Sequence, residues 1–436
     1  MDIQQLYTLF LQHPIVTTDS RDVPEGSLFF ALRGDTFDGN AYAKAALAQG
    51  ASYAIIDDKA VAEEGNEQLI LVENALETLQ QLAKHHRCQL GTTIVGVTGT
   101  NGKTTTKELI AAVLKKKYHV HYTQGNFNNH IGVPKTLLQL TKDHQIAVIE
   151  MGANHPGEIK TLANIVMPDY GIITNVGKAH LLGFGSFEGV LRTKGELYDF
   201  LRTDNGTAFI NNDNPHLRGI SAGLRLIRYG QQEAEGLLVK GKLISCNPML
   251  KFQWSPMPSP YSPYEVQTHL IGSYNLDNAL AAACIGTLFA VPAQDISDAL
   301  AEYVPSNNRS QLTVTADNRL VVDAYNANPT SMKAALENFR IMQATHKMCI
   351  LGDMKELGEA SAEEHQRIVE LLQQCDFEKV WLVGEEFAKT AHPAEYETFA
   401  DVEAVKARLA ADKPKGYIIL IKGSNSTRLI QTTEWL

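Results

Sequence analysis

Thr98-Gly99-Thr100-Asn101-Gly102-Lys103-Thr104-Thr105 follows the apolar, β-branched run Thr93-Ile94-Val95-Gly96-Val97 and precedes a helical pattern. A strand, a glycine turn and then Lys-Thr opening a helix make a phosphate-binding loop. The glycines let backbone N–H groups close around phosphate oxygens. Lys103 supplies a point charge for the β- and γ-phosphates, and Thr104 offers a hydroxyl to Mg²⁺. Val97 stands where the general G-x-x-x-x-G-K-[ST] pattern has its first Gly, so the spacing departs from that pattern while the context and side chains fit it. A tight turn with a solvated lysine is the plainer alternative.

Two further apolar runs read as parallel strands beside the loop. Gln145-Ile146-Ala147-Val148-Ile149 ends in Glu150, and Tyr170-Gly171-Ile172-Ile173-Thr174-Asn175-Val176 is followed shortly by His180. Ligands of open α/β sheets sit at the carboxyl ends of the strands, which predicts that Glu150 and His180 face the crevice of the loop. On position alone, Glu150 is either a Mg²⁺-holding carboxylate or a solvated strand end, and His180 either a ligand or a core-edge histidine. Lys194 alone reads as a surface lysine. Upstream, Ser27-Leu28-Phe29-Phe30-Ala31-Leu32 and Tyr53-Ala54-Ile55-Ile56 read as buried strands, and Ala41 to Gln49 as a helix ended by Gly50. Downstream, the prolines 248, 256, 258, 260 and 263 predict irregular surface structure or an edge strand over 247–264, and Asn275 to Ala290 reads as a helix. A third unit begins near Asn308. Its strands are Leu320-Val321-Val322-Asp323, Met348 to Asp353, Lys379 to Gly384 and Tyr417 to Gly423, with helical patterns between them.

The chain has 436 residues and a formal charge of −10. At about 150 residues per domain the length suggests about three domains. The division expected is 1–90, 91–308 and 309–436, in an α/β fold. A small α/β domain comes first, then a central P-loop-type parallel sheet, then a Rossmann-like doubly wound domain. The acidic balance argues against a general nucleic-acid surface. Five scattered cysteines with no metal-like spacing read as reduced thiols of a cytosolic protein, with no signal peptide at Met1-Asp2-Ile3-Gln4-Gln5 and no membrane-spanning run.

Segments along nearly the whole chain resemble the Mur ligases, the ATP-dependent amide-forming family of peptidoglycan synthesis. They include Thr18-Asp19-Ser20-Arg21, Phe37-Asp38-Gly39-Asn40, the loop at 98–105, Gly125-Asn126-Phe127-Asn128-Asn129-His130 and Glu150-Met151-Gly152-Ala153-Asn154-His155. The set continues with Asn175-Val176-Gly177-Lys178-Ala179-His180, Asp323-Ala324-Tyr325-Asn326-Ala327-Asn328-Pro329, Leu351 to Gly358 and Lys422-Gly423-Ser424-Asn425-Ser426. Segments 125–134, 150–159, 323–329 and 351–358 point to the branch that joins D-alanyl-D-alanine to UDP-N-acetylmuramoyl-tripeptide.

The resemblance implies a role for each matching residue. ATP phosphates would lie on Gly99, Thr100, Asn101, Gly102, Lys103, Thr104 and Thr105. Thr104 and Glu150 would hold one Mg²⁺, and His180 with a carbamylated Lys194 a second; an ammonium cannot ligate a cation, whereas a carbamate offers carboxylate-like oxygens. Asn275 or Asn278 would meet the adenine, and Arg309 and Asp323 the phosphate and ribose. Ser20, Arg21, Asp38, Gly39 and Asn40 would bind the uridine diphosphate end. Asn126, Asn128 and Asn129 would lie near the growing peptide, and Asn326 and Asn328 near the incoming dipeptide. Asn40 stands where relatives often have His. A cytoplasmic monomer without nucleic-acid or membrane partners is expected. The rivals are a ligase adding a diamino acid, a folate polyglutamate ligase, a kinase, and a nucleotide-dependent P-loop switch.

Overall fold

The computed structural model describes residues 1–259, 262–305 and 311–436. Among them the strands form three sheets strung along the chain. The first places Val16–Thr17, Leu28–Phe30, Tyr53–Ile56 and Leu69–Leu71 side by side, all parallel.

The central sheet runs in the order Tyr264–Ile271, Met249–Pro256, Leu237–Cys246, Arg225–Gly230, Thr207–Asn211, Tyr170–Ile173, Thr93–Thr98, Ile146–Glu150 and Val120–Tyr122. Its loop-bearing half is parallel, and alternate residues of one strand feed opposite faces. Ile94, Ala147 and Ile173 join one core, while Val95, Val148 and Ile172 join the other. That double burial is why these runs read as continuously apolar rather than alternating. The first core also takes in Leu6, Phe10, Leu28 and Leu82, so the N-terminal unit shares apolar packing with one face of the central sheet.

The third sheet has the order Gln311–Val314, Arg319–Asp323, Ile418–Lys422, Lys347–Gly352, Lys379–Val383 and Glu397–Phe399. Gln311–Val314 pairs antiparallel and the rest parallel. Separate cores on its two faces give the doubly wound arrangement.

Two expectations need correction. The strand expected over 170–176 stops at Ile173, because Thr174 and Asn175 leave the ladder to hydrogen-bond the phosphate loop. The proline-rich stretch contains the strand Met249–Pro256, which lies inside the sheet between two antiparallel neighbours. Pro248 precedes that strand and Pro256 ends it, so neither ring interrupts the middle of the ladder, and Leu250, Phe252 and Trp254 point alternately into the core. Pro260 lies outside the described residues.

Candidate active site

The loop owes its shape to two glycines that no other residue could replace in place. Gly99 has φ +142°, and a Cβ there would lie 2.0 Å from Thr174 Oγ1. Gly102 has φ +76°, and a Cβ there would lie 2.7 Å from Asn278 Oδ1. Gly102→Ala is therefore expected to cost about 1–2 kcal/mol from left-handed strain and crowding together. Thermal denaturation should show the loss, and ADP titration should show weaker binding as the loop opens.

The rest of the loop is stitched to the end of the neighbouring strand. Asn175 Oδ1 accepts from Asn101 N at 3.0 Å, and Asn175 Nδ2 donates to Asn101 O at 2.9 Å. Thr174 Oγ1 donates to the same carbonyl at 2.7 Å. With no anion present, Lys103 Nζ donates to the carbonyls of Gly99 and Thr100 at 2.9 and 3.1 Å. The helix Lys103–Lys115 begins at Lys103, so its N-terminus opens at the loop.

Glu150, 1% exposed, ends its strand beside this helix. Its Oε1 accepts from Thr104 Oγ1 at 3.2 Å and from Asn128 Nδ2 at 2.8 Å, while its Oε2 has no hydrogen-bond partner. A buried carboxylate oxygen left without a donor, with a threonine hydroxyl on its twin, suits a hard cation whose remaining ligands come from phosphate and water. Among the described residues no group of three or more His, Cys, Asp or Glu could hold a metal by itself.

Lys194 is 2% exposed, on the inward face of the helix Phe187–Thr203, which Ser186 caps. Its Nζ donates to Ala153 O at 3.2 Å and lies 5.1 Å from the centre of the Phe184 ring. Burial, reinforced by the charge of Lys103, lowers its amine to about 7. The surface reading of this lysine is overturned. Burial likewise lowers His180, against the opposing pull of Glu356, with Lys103 and Lys194 adding to the lowering. His180 adopts φ +50° and hydrogen-bonds through Nδ1 to Glu356 from the third unit.

The third unit supplies the far wall. Asn328 caps the helix Pro329–Ile341, and its Nδ2 donates to Asn101 Oδ1 at 2.8 Å, bridging the sheets. Lys178 reaches Glu364 at 2.6 Å, and its backbone N–H donates to Thr330 Oγ1 at 3.0 Å. Asp323 and Lys422 are register partners on adjacent strands, joined by a 2.5 Å ion pair. Lys422 also donates to the carbonyl of Asn326.

A cleft of about 900 Å³ gathers Lys103, Glu150, His180, Asn275, Asn278 and Asp323. Thr100, Asn101, Gly102, Thr105, Asn126, Asn128, Asn129, Asn326 and Asn328 line it as well. Several of the asparagines are already engaged. Asn278 accepts from Thr106 and donates to Asn275, which donates to Ile271 O. Asn129 accepts from two backbone N–H groups of its own turn.

Leu76 and Gln80 of the first unit border that cleft, whereas Ser20, Arg21, Asp38, Gly39 and Asn40 do not line it. Arg21 forks onto Asp19, Ser20 O accepts from Gln49, and Gly39 packs against the Leu32 carbonyl. Asn40 is buried, donates to Asp38 and Asp57, and accepts from the N–H groups of Asp57 and Asp58. Arg309 lies outside the described residues. Sequence reasoning assigned no role to Asn175, Lys178 or Lys422, because each matters through a partner distant in sequence, and it gave the loop 353–358 to the incoming dipeptide without foreseeing the contact of Glu356 with His180.

Three family profiles match the chain: "Mur ligase family, catalytic domain" over 14–87, "Mur ligase middle domain" over 97–286 and "Mur ligase, glutamate ligase domain" over 308–425. The chain is 34% identical to the UDP-N-acetylmuramoyl-tripeptide–D-alanyl-D-alanine ligase of Bacillus subtilis, covering 95% of this chain and 91% of that one. It is 33% identical to the same-named ligase of Escherichia coli, over 97% of this chain and 93% of that one. Among solved structures, the MurF ligase of Thermotoga maritima in complex with ADP superposes with a TM-score of 0.85 at 29% identity, covering 98% and 97%.

Proposed function

We propose, because this chain belongs to the Mur ligase family, that it is the ATP-dependent ligase joining D-alanyl-D-alanine to UDP-N-acetylmuramoyl-tripeptide. The observation that carries the reading is the single cleft in which the phosphate loop and Glu150 of the central sheet meet Asp323 and Asn328 of the third. A switch protein needs the loop alone; a ligase needs a second wall to seat an amine.

In the reaction the terminal carboxylate of the tripeptide attacks the γ-phosphorus of ATP. ADP leaves and an acyl phosphate forms. The free amine of the dipeptide attacks the acyl carbon, a proton is lost from nitrogen, and phosphate departs to leave the amide. The first step brings two anions together, so positive charge must be in place beforehand. Lys103 would turn from the loop carbonyls to the β- and γ-phosphates. Thr104 and Glu150 would hold one Mg²⁺, and His180 with Lys194 a second. When bound, the ions offset the phosphate charge.

The second position requires Lys194 as a carbamate, because an amine beside His180 and Lys103 adds repulsion rather than a ligand. Its amine near 7 favours that change, since CO₂ reacts with the neutral form. Asn275 and Asn278 would border the adenine, and Asp323 with Arg309 the ribose and phosphate. Asn126, Asn326 and Asn328 would lie along the two peptides, and Ser20, Arg21, Asp38 and Gly39 would hold the UDP end. We place units 1–90, 91–308 and 309–436 in those three tasks. Among the described residues no helix is long and apolar enough to cross a membrane. The substrates, a nucleotide-linked peptide and a free dipeptide, are water-soluble, which fits a cytoplasmic enzyme.

The test is phosphate release from ATP and Mg²⁺ with each substrate omitted in turn. Release that requires both, with a UDP-pentapeptide product by mass, is the expected result. Release indifferent to the dipeptide would sink the reading, in favour of a diamino-acid ligase if free amino acids restore turnover.

A further inference from the structure

Among the described residues, four buried side-chain polar atoms lack a hydrogen bond, and two of them, Lys107 Nζ and Glu150 Oε2, lie 3.6 Å apart. Lys107 follows Thr104 by one helical turn, so the two side chains share a face. The Lys107 side chain has no exposed surface. Its other near charge is Glu108, at 3.7 Å, and Glu108 also accepts from Tyr303 at 2.5 Å. A structural ion pair in a dry interior closes to about 2.8 Å. This one stays open, on the very carboxylate oxygen that Thr104 and Asn128 leave without a donor.

We infer that Lys107 is a positioning residue that acts as the resident counter-cation of Glu150, so that a divalent cation engages Glu150 firmly only when nucleotide phosphates add their charge. The inference rests on Glu150 being a metal ligand. Glu150 alone would present a full negative charge in a dry site and attract a dication strongly. With Lys107 beside it the charge of the Glu150–Lys107 pair is close to zero, and a hydrated Mg²⁺ gains less by shedding water there. The phosphates restore the negative excess. Metal and nucleotide then strengthen each other's binding, by the same factor in both directions. Thr104 and Asn128 cannot do this, because both are neutral and both touch Oε1.

Mn²⁺ titrations of the full chain, with free Mn²⁺ read by electron paramagnetic resonance and with ADP absent or saturating, test it. Wild type should bind Mn²⁺ weakly alone and tightly with ADP. Lys107→Met and Lys107→Gln should raise the nucleotide-free affinity by about tenfold and change the ADP-bound affinity less, so that the coupling shrinks. Lys107→Arg, which keeps the charge, should retain the coupling. Neutral variants that melt like wild type yet leave nucleotide-free affinity unchanged or lower would overturn the proposal. If neither neutral variant folds, the wild type still decides: equal Mn²⁺ affinity with and without ADP would overturn it, and markedly tighter binding with ADP would support it. Absence of Mn²⁺ binding even with ADP would instead strike at Glu150 as a ligand.

Discussion

Lys103→Met should lower kcat/KM for ligation by about a thousandfold, close to 4 kcal/mol of lost transition-state stabilisation, while leaving the melting temperature nearly unchanged. The two effects separate because of where the lysine spends its charge. In the structure Nζ donates to the carbonyls of Gly99 and Thr100, on the wall of the cleft. Water can replace it there at little cost. During phosphoryl transfer no water can replace it, because charge develops on oxygens enclosed by backbone N–H groups. Kinetics with ATP varied, alongside calorimetry of the free protein, check both halves. A large fall in melting temperature would mean that Lys103 holds the loop together rather than serving the reaction.

Lys194→Met should push activity and stability in opposite directions. Ligation should fall by at least about a hundredfold, since methionine can neither form a carbamate nor bind a cation. Stability in CO₂-free buffer should rise at neutral pH. The sign follows from the lowered pKa. Folding moves the amine from 10.5 to about 7, chiefly by burial. Between those values the unfolded chain binds the proton more tightly, so wild-type stability climbs with pH across the window and is poorest below about 7. Methionine carries no such penalty and is close in volume, although the Ala153 carbonyl loses its donor at a cost of about 1 kcal/mol. The advantage of the variant should therefore be largest near pH 7 and shrink towards pH 10. Melting curves across that range measure it, and an advantage constant with pH would show that the amine is not the source.

Much of the fold was legible because the central strands are buried on both faces. Tyr53–Ile56 matches its apolar run residue for residue, and Ile146–Glu150 starts one residue after Gln145, where its run begins. The strand Met249–Pro256 was missed because its prolines outweighed the alternation of Leu250, Phe252 and Trp254, the pattern that should have decided. In the site, loop residues were readable because the loop is local: eight consecutive residues carry its chemistry. Lys422 was not, since its partner Asp323 lies 99 positions away and only strand register brings the two together. Lys194 misled for a similar reason. Its helix places it inward with Val190 and Leu197, and nothing next to it in sequence announces the pocket. Asn40 shows a further kind of hidden link, since its bonds to Asp57 and Asp58 span 17 and 18 positions.

The strand Ile418–Lys422 sits in the middle of the third sheet, between Arg319–Asp323 and Lys347–Gly352. Translation makes it after every other strand of that sheet. A ribosome that has not passed residue 422 has therefore built a phosphate loop but not the wall opposite it. A chain cut short before that strand lacks Lys422, the partner that Asp323 meets across the sheet.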